Sequence, residues 1–180
     1  NFIKWFYKEN PDGKAITYNA FYNDKIIGHY ALVPFKISID GIIYKSGLSV
    51  FTAIDKNFRG LYLFNKLAQK TYDLAINQNI KFIVGVSNHI STKLFVRYFG
   101  FTFISKLDVK FGLGKIKKNN SNHRFKIIKS PQDLKWRLDN PRFKYSLIKE
   151  EDDIHIYNNI YKLFKLSMGQ YKIDNFTNIA

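Results

Sequence analysis

Arg59 and Gly60 stand at a junction that could hold an anion. They close the loop DKNFRG (55–60), which leads from a β-branched run, SVFTAI (49–54), into a helix-patterned segment, LYLFNKLAQKTYDLA (61–75). The first turn of a helix leaves backbone N–H groups without internal partners and carries the positive end of the helix dipole. A loop that enters a helix from a strand is therefore a seat for a phosphate or pyrophosphate. Arg59 adds a cation to that seat and Gly60 a residue permissive in φ; the plainer reading makes Gly60 a turn glycine and Asp55 a helix cap. His29, in IIGHYAL, and His89, after Asn88, are candidate bases because imidazole titrates near neutrality. A lone histidine is more often an ordinary hydrogen-bonded or surface residue, and that is the plainer reading of both. His123 and His155 lie in polar surroundings and suggest no chemistry. The four histidines show no metal-ligand spacing, so no metal site is expected. With no Cys in the chain, thiolate zinc sites, disulfides and cysteine nucleophiles are excluded, and neither a Gly-x-Ser-x-Gly elbow nor a Walker loop occurs.

The elements that must position these residues follow from pattern. Residues 2–9 have the spacing of a short amphipathic helix, ended by Asn10-Pro11 and the turn residues Asp12-Gly13. Strands are expected over 15–22 and 25–36 around an Asn23-Asp24 turn, then over 37–39 and 42–44 around Asp40-Gly41, with a further strand over 47–54. Leu61, Phe64, Leu67, Ala68, Leu74 and Ala75 recur at helical spacing and predict a helix over 61–77. IKFIVGV (80–86) reads as a strand buried on both faces. A second helix is expected over 91–99, opened by Ser87 or Asn88 and closed by Gly100, then a final strand over 101–111 and a lysine-rich linker.

From Trp5 to Phe103 this order of hairpin, strand, loop-helix, strand, helix and strand resembles the GNAT superfamily of acetyl-coenzyme A dependent acyltransferases. The family's phosphate loop reads Arg or Gln, two residues, Gly, one residue, then Gly or Ala. Arg59 matches its lead residue and Gly60 the glycine that often follows, while Tyr62 occupies the first motif glycine and Phe64 the second small residue. SNHISTKLFVRYFGF, with Gly100-Phe101, is similar to the family's fourth helix and its exit. The fold implied is α+β, with a mixed, mostly antiparallel central sheet flanked by helices. The resemblance implies that Thr52, Ala53 and Ile54 offer backbone groups to the pantetheine arm. It implies that Arg59, Gly60, Leu61, Tyr62, Leu63 and Phe64 hold the pyrophosphate and that Asn88 contacts the coenzyme. The acceptor, an amine of a small metabolite or amino sugar, would then attack the thioester directly, with a backbone donor for the developing oxyanion. The tyrosine that many members place four residues before the exit glycine is Val96 here, and Tyr98 points about 200° away from that direction.

The chain of 180 residues, with 46% hydrophobic and 17% aromatic content, can bury a sizeable core. Its net charge of +15 suggests an anionic partner, but the cations are 24 Lys and 5 Arg spread along the chain, so nucleic acid is not the expected ligand. A coenzyme that is itself a polyanion suits such a surface. A tRNA-associated aminoacyltransferase of related fold and a degenerate, non-catalytic binding module are the rival readings. No apolar run reaches the length of a transmembrane helix, and the absence of Cys fits a cytoplasmic protein. A weak internal repeat sets FIKWFYKENPDGKAITY beside DLKWRLDNPRFKYSLI, matching Trp5 to Trp136 and Asn10-Pro11 to Asn140-Pro141. The expected organisation is therefore a GNAT-like domain over 1–111, a linker and connecting strand over 112–129, and part of a second related unit over 130–180. A start at Asn1 and an end on NFTNIA suggest a fragment of a longer protein.

Overall fold

A computed structural model describes residues 1–60, 62–106, 124–150, 153–160 and 164–172. Leu61, His123 and the 112–122 linker lie outside them. The chain opens with helix α1 (Phe2–Lys8), whose first N–H groups are capped by the Asn1 side chain. Strands β1 (Ile16–Tyr22), β2 (Lys25–Ile39) and β3 (Ile42–Ile54) form an antiparallel meander. The two turns expected at Asn23-Asp24 and Asp40-Gly41 are present, with positive φ at all four residues. The separate strands expected over 25–36, 37–39, 42–44 and 47–54 are in fact two long ones. A single ladder runs from Gly28 opposite Ile54 to Ile39 opposite Ile42, so pairing continues through Pro34 and Gly47.

Helix α2 (Leu63–Asn77) lies across β1 and β2, burying Leu67, Ala68, Thr71 and Ala75. Gly28 permits the approach: a Cβ there would sit 2.7 Å from Leu67 Cδ1. Leu67, Ala68 and Ala75 join Ile16, Tyr30, Leu32, Ile80 and Phe95 in the main core. Strand β4 (Phe82–Gly85) pairs parallel to β3, and β5 (Phe125–Ile127) pairs with the end of β2. The order β1-β2-β3-β4, antiparallel except for its last pair, is the mixed sheet expected from the sequence.

Two further sequence expectations are corrected. The run 80–86 was expected to be covered on both faces, yet β4 is a sheet edge among the described residues, and Phe82 and Val86 are exposed. A continuous apolar run does not distinguish a central strand from an edge strand beside an aromatic cluster. The final strand does not begin at Phe101, since residues 101–106 carry no strand pairing and 107–111 lie outside the described residues. Helix α3 (His89–Phe99) ends on Gly100 at φ 67°, and the Phe101 N–H returns to Phe95 O at 3.3 Å. Phe101 thus closes the helix as an apolar contact after the cap instead of opening a ladder.

Alternation along β2 assigns the faces. Tyr30 meets Phe64 and Tyr72 of α2, whereas its neighbour His29 bonds Tyr7 of α1. Helices α1 and α2 therefore cover opposite faces of the sheet. Beyond β5, Ser130 and Asp133 form a reciprocal capping box on helix α4 (Pro131–Leu138). A second meander follows, β6 (Tyr145–Glu150), β7 (Asp153–Ile160) and β8 (Phe164–Lys172), with Leu134 and Ile156 buried together.

Candidate active site

The parallel pairing of β3 with β4 stops at Ser49 opposite Gly85. Past that point the chains of β3 and β4 line the two sides of a cleft of about 190 Å³, Ser49 to Thr52 on one and Gly85 to Asn88 on the other. Phe64 of α2 and Ser91 and Phe95 of α3 complete it. Where β3 enters the cleft it carries a bulge. Ala31 faces Val50 and His29 faces Ala53, so Tyr30 alone spans Phe51 and Thr52. Phe51 takes φ 50°, a left-handed conformation unusual for an aromatic residue, and such a bulge leaves a backbone group out of the ladder. The strain is held by packing. The Phe51 ring contacts Phe6 at 5.1 Å, Tyr7 at 6.1 Å and Phe2 at 6.2 Å between centroids, all from α1.

The anion seat expected at the start of α2 is built as follows. Asp55 Oδ1 accepts from Asn57 N and caps a 3-10 turn (Lys56–Phe58). Arg59 Nε then donates to Ile54 O at 3.2 Å, which uses one of five guanidinium donors and ties the loop to the end of β3. Gly60 is at φ 83°, and no atom lies within 4 Å of where its Cβ would be. Tyr62 is the N-cap of α2, with φ 55° and no side-chain cap bond, and the first turn holds no acidic residue. The first N–H groups of α2 thus lack the side-chain acceptors that satisfy those of α1, α3 and α4. Tyr62 adopts the left-handed backbone a glycine would take and is 74% exposed.

A family model described as an acetyltransferase (GNAT) domain matches residues 3–104. The chain belongs to the GNAT acetyltransferase family. Among solved structures it is similar to glucosamine-6-phosphate N-acetyltransferase from Arabidopsis thaliana, at 17% identity and TM-score 0.46, over 54% of this chain and 66% of that one. It is also similar to ribosomal-protein-alanine N-acetyltransferase from Brucella melitensis biovar Abortus 2308, at 14% identity and TM-score 0.45, over 54% of this chain and 71% of that one. A predicted acetyltransferase from Clostridium acetobutylicum, solved with acetyl-CoA, matches at 16% identity and TM-score 0.46, over 53% of this chain and 64% of that one. The matched part of this chain thus spans about two thirds of these relatives. No curated protein matches the chain significantly.

Within the GNAT domain the residues expected at the coenzyme divide into three groups. Thr52, Phe64 and Asn88 line the cleft. Arg59, Gly60 and Tyr62 stand at the mouth of α2, next to Leu61, which lies outside the described residues. Ala53 and Ile54 are past the bulge: Ala53 pairs with His29, and Ile54 packs against the core while its carbonyl accepts Arg59. Leu63, half-buried, packs against the same core. Asn88 also settles which residue opens α3, because its Oδ1 accepts from Ser91 N at 2.9 Å while Ser87 Oγ pairs with Thr92 Oγ1.

The two candidate bases differ in surroundings. His89 is the exposed first residue of α3 and lines no part of the cleft. His29 is half-buried, with Nδ1 at 2.6 Å from Asn19 Oδ1 and Nε2 at 2.9 Å from Tyr7 Oη. Burial lowers the pKa of the imidazole below its usual 6.5 and raises that of the Tyr7 phenol. The cleft wall has its own buried network on the α2 face. Tyr30 Oη reaches Ser49 Oγ at 2.8 Å and Tyr72 Oη at 2.9 Å, and burial raises the pKa of both phenols above the ordinary tyrosine value.

Sequence reasoning did not find Ser49, Phe51, Tyr7 or Asn19. The bulge at Phe51 has no glycine to mark it, and Tyr7 and Asn19 meet His29 only through strand pairing and helix docking. Among the described residues no group of three His, Cys, Asp or Glu could hold a metal, and no helix is long and apolar enough to cross a membrane.

Proposed function

We propose that this GNAT domain transfers an acetyl group from acetyl-coenzyme A to the amine of a small metabolite or amino sugar, as a cytoplasmic enzyme. One observation carries this reading. A cleft between parting strands, entered past a β3 bulge, opens beside a helix whose first N–H groups lack a side-chain cap and which follows Arg59 in the chain. That arrangement suits a long ligand with an anionic segment and a reactive carbonyl. The pyrophosphate would rest on the first turn of α2, where backbone N–H groups and the helix dipole favour negative charge, with Arg59 adding a charged donor. The pantetheine arm would run along Thr52 toward Asn88, and a backbone donor released at the bulge would meet the oxygen of the thioester as charge develops. The surplus of positive charge on the chain would hasten capture of such a polyanion.

Titration calorimetry with acetyl-CoA is expected to show saturable binding, with a matching rise in thermal midpoint. Arg59→Ala should weaken it about tenfold, the equivalent of ~1.4 kcal/mol and of one charge-assisted contact. No heat and no stabilisation at millimolar acetyl-CoA would remove the transferase reading in favour of a non-catalytic module.

A further inference from the structure

We infer that Tyr7, His29 and Asn19 form a proton relay serving the acceptor amine, with Tyr7 Oη meeting the amine and His29 Nε2 receiving the proton. The inference rests on the acetyl-transfer reading and adds the side from which the acceptor comes. The hydrogen-bond pattern fixes the direction of transfer. Asn19 Oδ1 can only accept, so His29 Nδ1 carries the hydrogen of that 2.6 Å bond. The other nitrogen, Nε2, is then a bare lone pair, and the Tyr7 hydroxyl at 2.9 Å donates to it. A base held in one tautomer by a third group, with a hydroxyl on its free nitrogen, has the arrangement by which a weak proton acceptor is activated.

Position joins this relay to the cleft. His29 pairs across the ladder with Ala53, just past the bulge, and the Tyr7 ring lies nearly parallel to Phe51 at 6.1 Å with an interplanar angle of 17°. Phe51 is itself a wall of the cleft. The relay lies on the α1 face, whereas the anion seat belongs to α2 on the opposite face. The donor and the acceptor would thus approach the carbonyl from opposite sides of the sheet. Tyr7 is held in place from its own backbone, since Ala15 N donates to Tyr7 O at 2.8 Å.

In the step proposed, the lone pair of the amine forms the C–N bond and the C–S bond breaks with its pair on sulfur. The amine proton passes to Tyr7 Oη as the Tyr7 proton passes to His29 Nε2. The resulting imidazolium keeps its Nδ1–H bond to Asn19. The groups on the imidazole are the phenol from α1 and the amide from β1, and burial is the cause that lowers its pKa. His29 is therefore neutral at pH 7, and kcat/KM should fall as pH drops through an ionisation below 6.5.

The test uses ¹⁵N-histidine NMR and turnover of acetyl-CoA on the whole chain, with glucosamine as the amine probe and water as the fallback acceptor. The relay requires His29 in the Nδ1–H tautomer, titrating below 6.5. It also requires Tyr7→Phe and His29→Gln each to lower kcat about 10²-fold, with acetyl-CoA affinity unchanged and the double variant no slower than either single one. An Nε2–H tautomer, or kcat within about threefold of the native value in either variant, overturns it. Failure of the native chain to bind acetyl-CoA would remove the transferase reading, and the tautomer would then decide whether the relay exists.

A separate observation carries a second inference, that residues 131–172 repeat the opening helix and meander of the first unit and dock on it about an internal two-fold axis. The contacts are reciprocal. Trp5 Nε1 donates to Trp136 O at 2.7 Å, Trp136 Nε1 donates to Trp5 O at 3.1 Å, and the rings stack at 4.6 Å and 14°. Residue i meeting j as j meets i is the signature of two-fold related copies. The turns match as well, since Asn10 Oδ1 accepts from Asp12 N and Asn140 Oδ1 from Arg142 N, each followed by a meander. Arg142 lies 3.7 Å above the Phe2 ring, which packs on Phe51, so the second copy buttresses the acceptor-side wall. With only two Trp in the chain, the stack should give an exciton couplet in the circular dichroism spectrum. Trp5→Phe and Trp136→Phe should each abolish the couplet and lower the thermal midpoint by equal amounts. A native spectrum without the couplet, or a midpoint moved by one substitution alone, sinks the two-fold relation.

Discussion

Replacing Phe95 with alanine is expected to destabilise the protein by about 3–5 kcal/mol and to abolish acetyl-CoA binding. Phe95 is the one buried residue of α3 and sits between three aromatic partners, Phe64 at 5.6 Å, Phe99 at 6.2 Å and Phe101 at 5.0 Å. Helices shorter than about 12–15 residues are marginal in water, so the 11 residues of α3 depend on that anchor. The Asn88 cap contributes roughly 1 kcal/mol and cannot replace it. Because Phe95 and Asn88 both line the cleft, release of α3 removes one wall and part of the floor. Urea unfolding followed by circular dichroism would read the stability, and calorimetry the binding. Native affinity retained by a destabilised variant would show that α3 does not build the ligand site.

Gly28→Val is the second large effect expected, a loss of about 2–3 kcal/mol together with weaker coenzyme binding. Valine favours strands, an advantage of at most about 1 kcal/mol. Against it stands a collision, since even the first added carbon would lie 2.7 Å from Leu67 Cδ1 and 3.1 Å from Ile54 Cδ1. Leu67 is 2% exposed and has no empty space to retreat into, so overpacking wins and α2 must lift from the sheet. Its first turn would move away from Arg59 and the cleft. Gly28→Ala, with a single added carbon, should show the same changes at smaller size. Comparison of urea midpoints and acetyl-CoA affinities across glycine, alanine and valine checks both. An affinity that stays constant while stability falls would separate the seat of α2 from the binding of the ligand.

The helix α2 was legible because its apolar residues recur at 3, 4 and 7, and the Asn23-Asp24 and Asp40-Gly41 turns because those residue types tolerate positive φ. The proposed anion seat rests on the same kind of local signal, as a loop, a cation and a helix start adjoin in sequence. The length of β2 and β3 was not, because a strand break at Lys36 or Gly47 depends on whether the opposite strand supplies partners. That β4 is an edge among the described residues was illegible as well, since a run such as IKFIVGV states its hydrophobicity and not its neighbours. Phe51 at φ 50° carries no sequence mark, because the bulge arises from a register shift against β2.

The sequence by itself determined helices α1, α2 and α3, the two hairpin turns and the family, and it suggested the start of α2 beside Arg59 as a place for an anion. These are consequences of local periodicity, turn chemistry and charge, which neighbouring residues decide. Only the tertiary structure decided that β3 and β4 part to leave a cleft and that Tyr7, Asn19 and His29 converge from three elements on one side of it. It also decided that the two tryptophans, 131 residues apart, meet face to face. Each of these depends on contacts distant in the chain, which are fixed by how strands pair and which sheet face a helix covers.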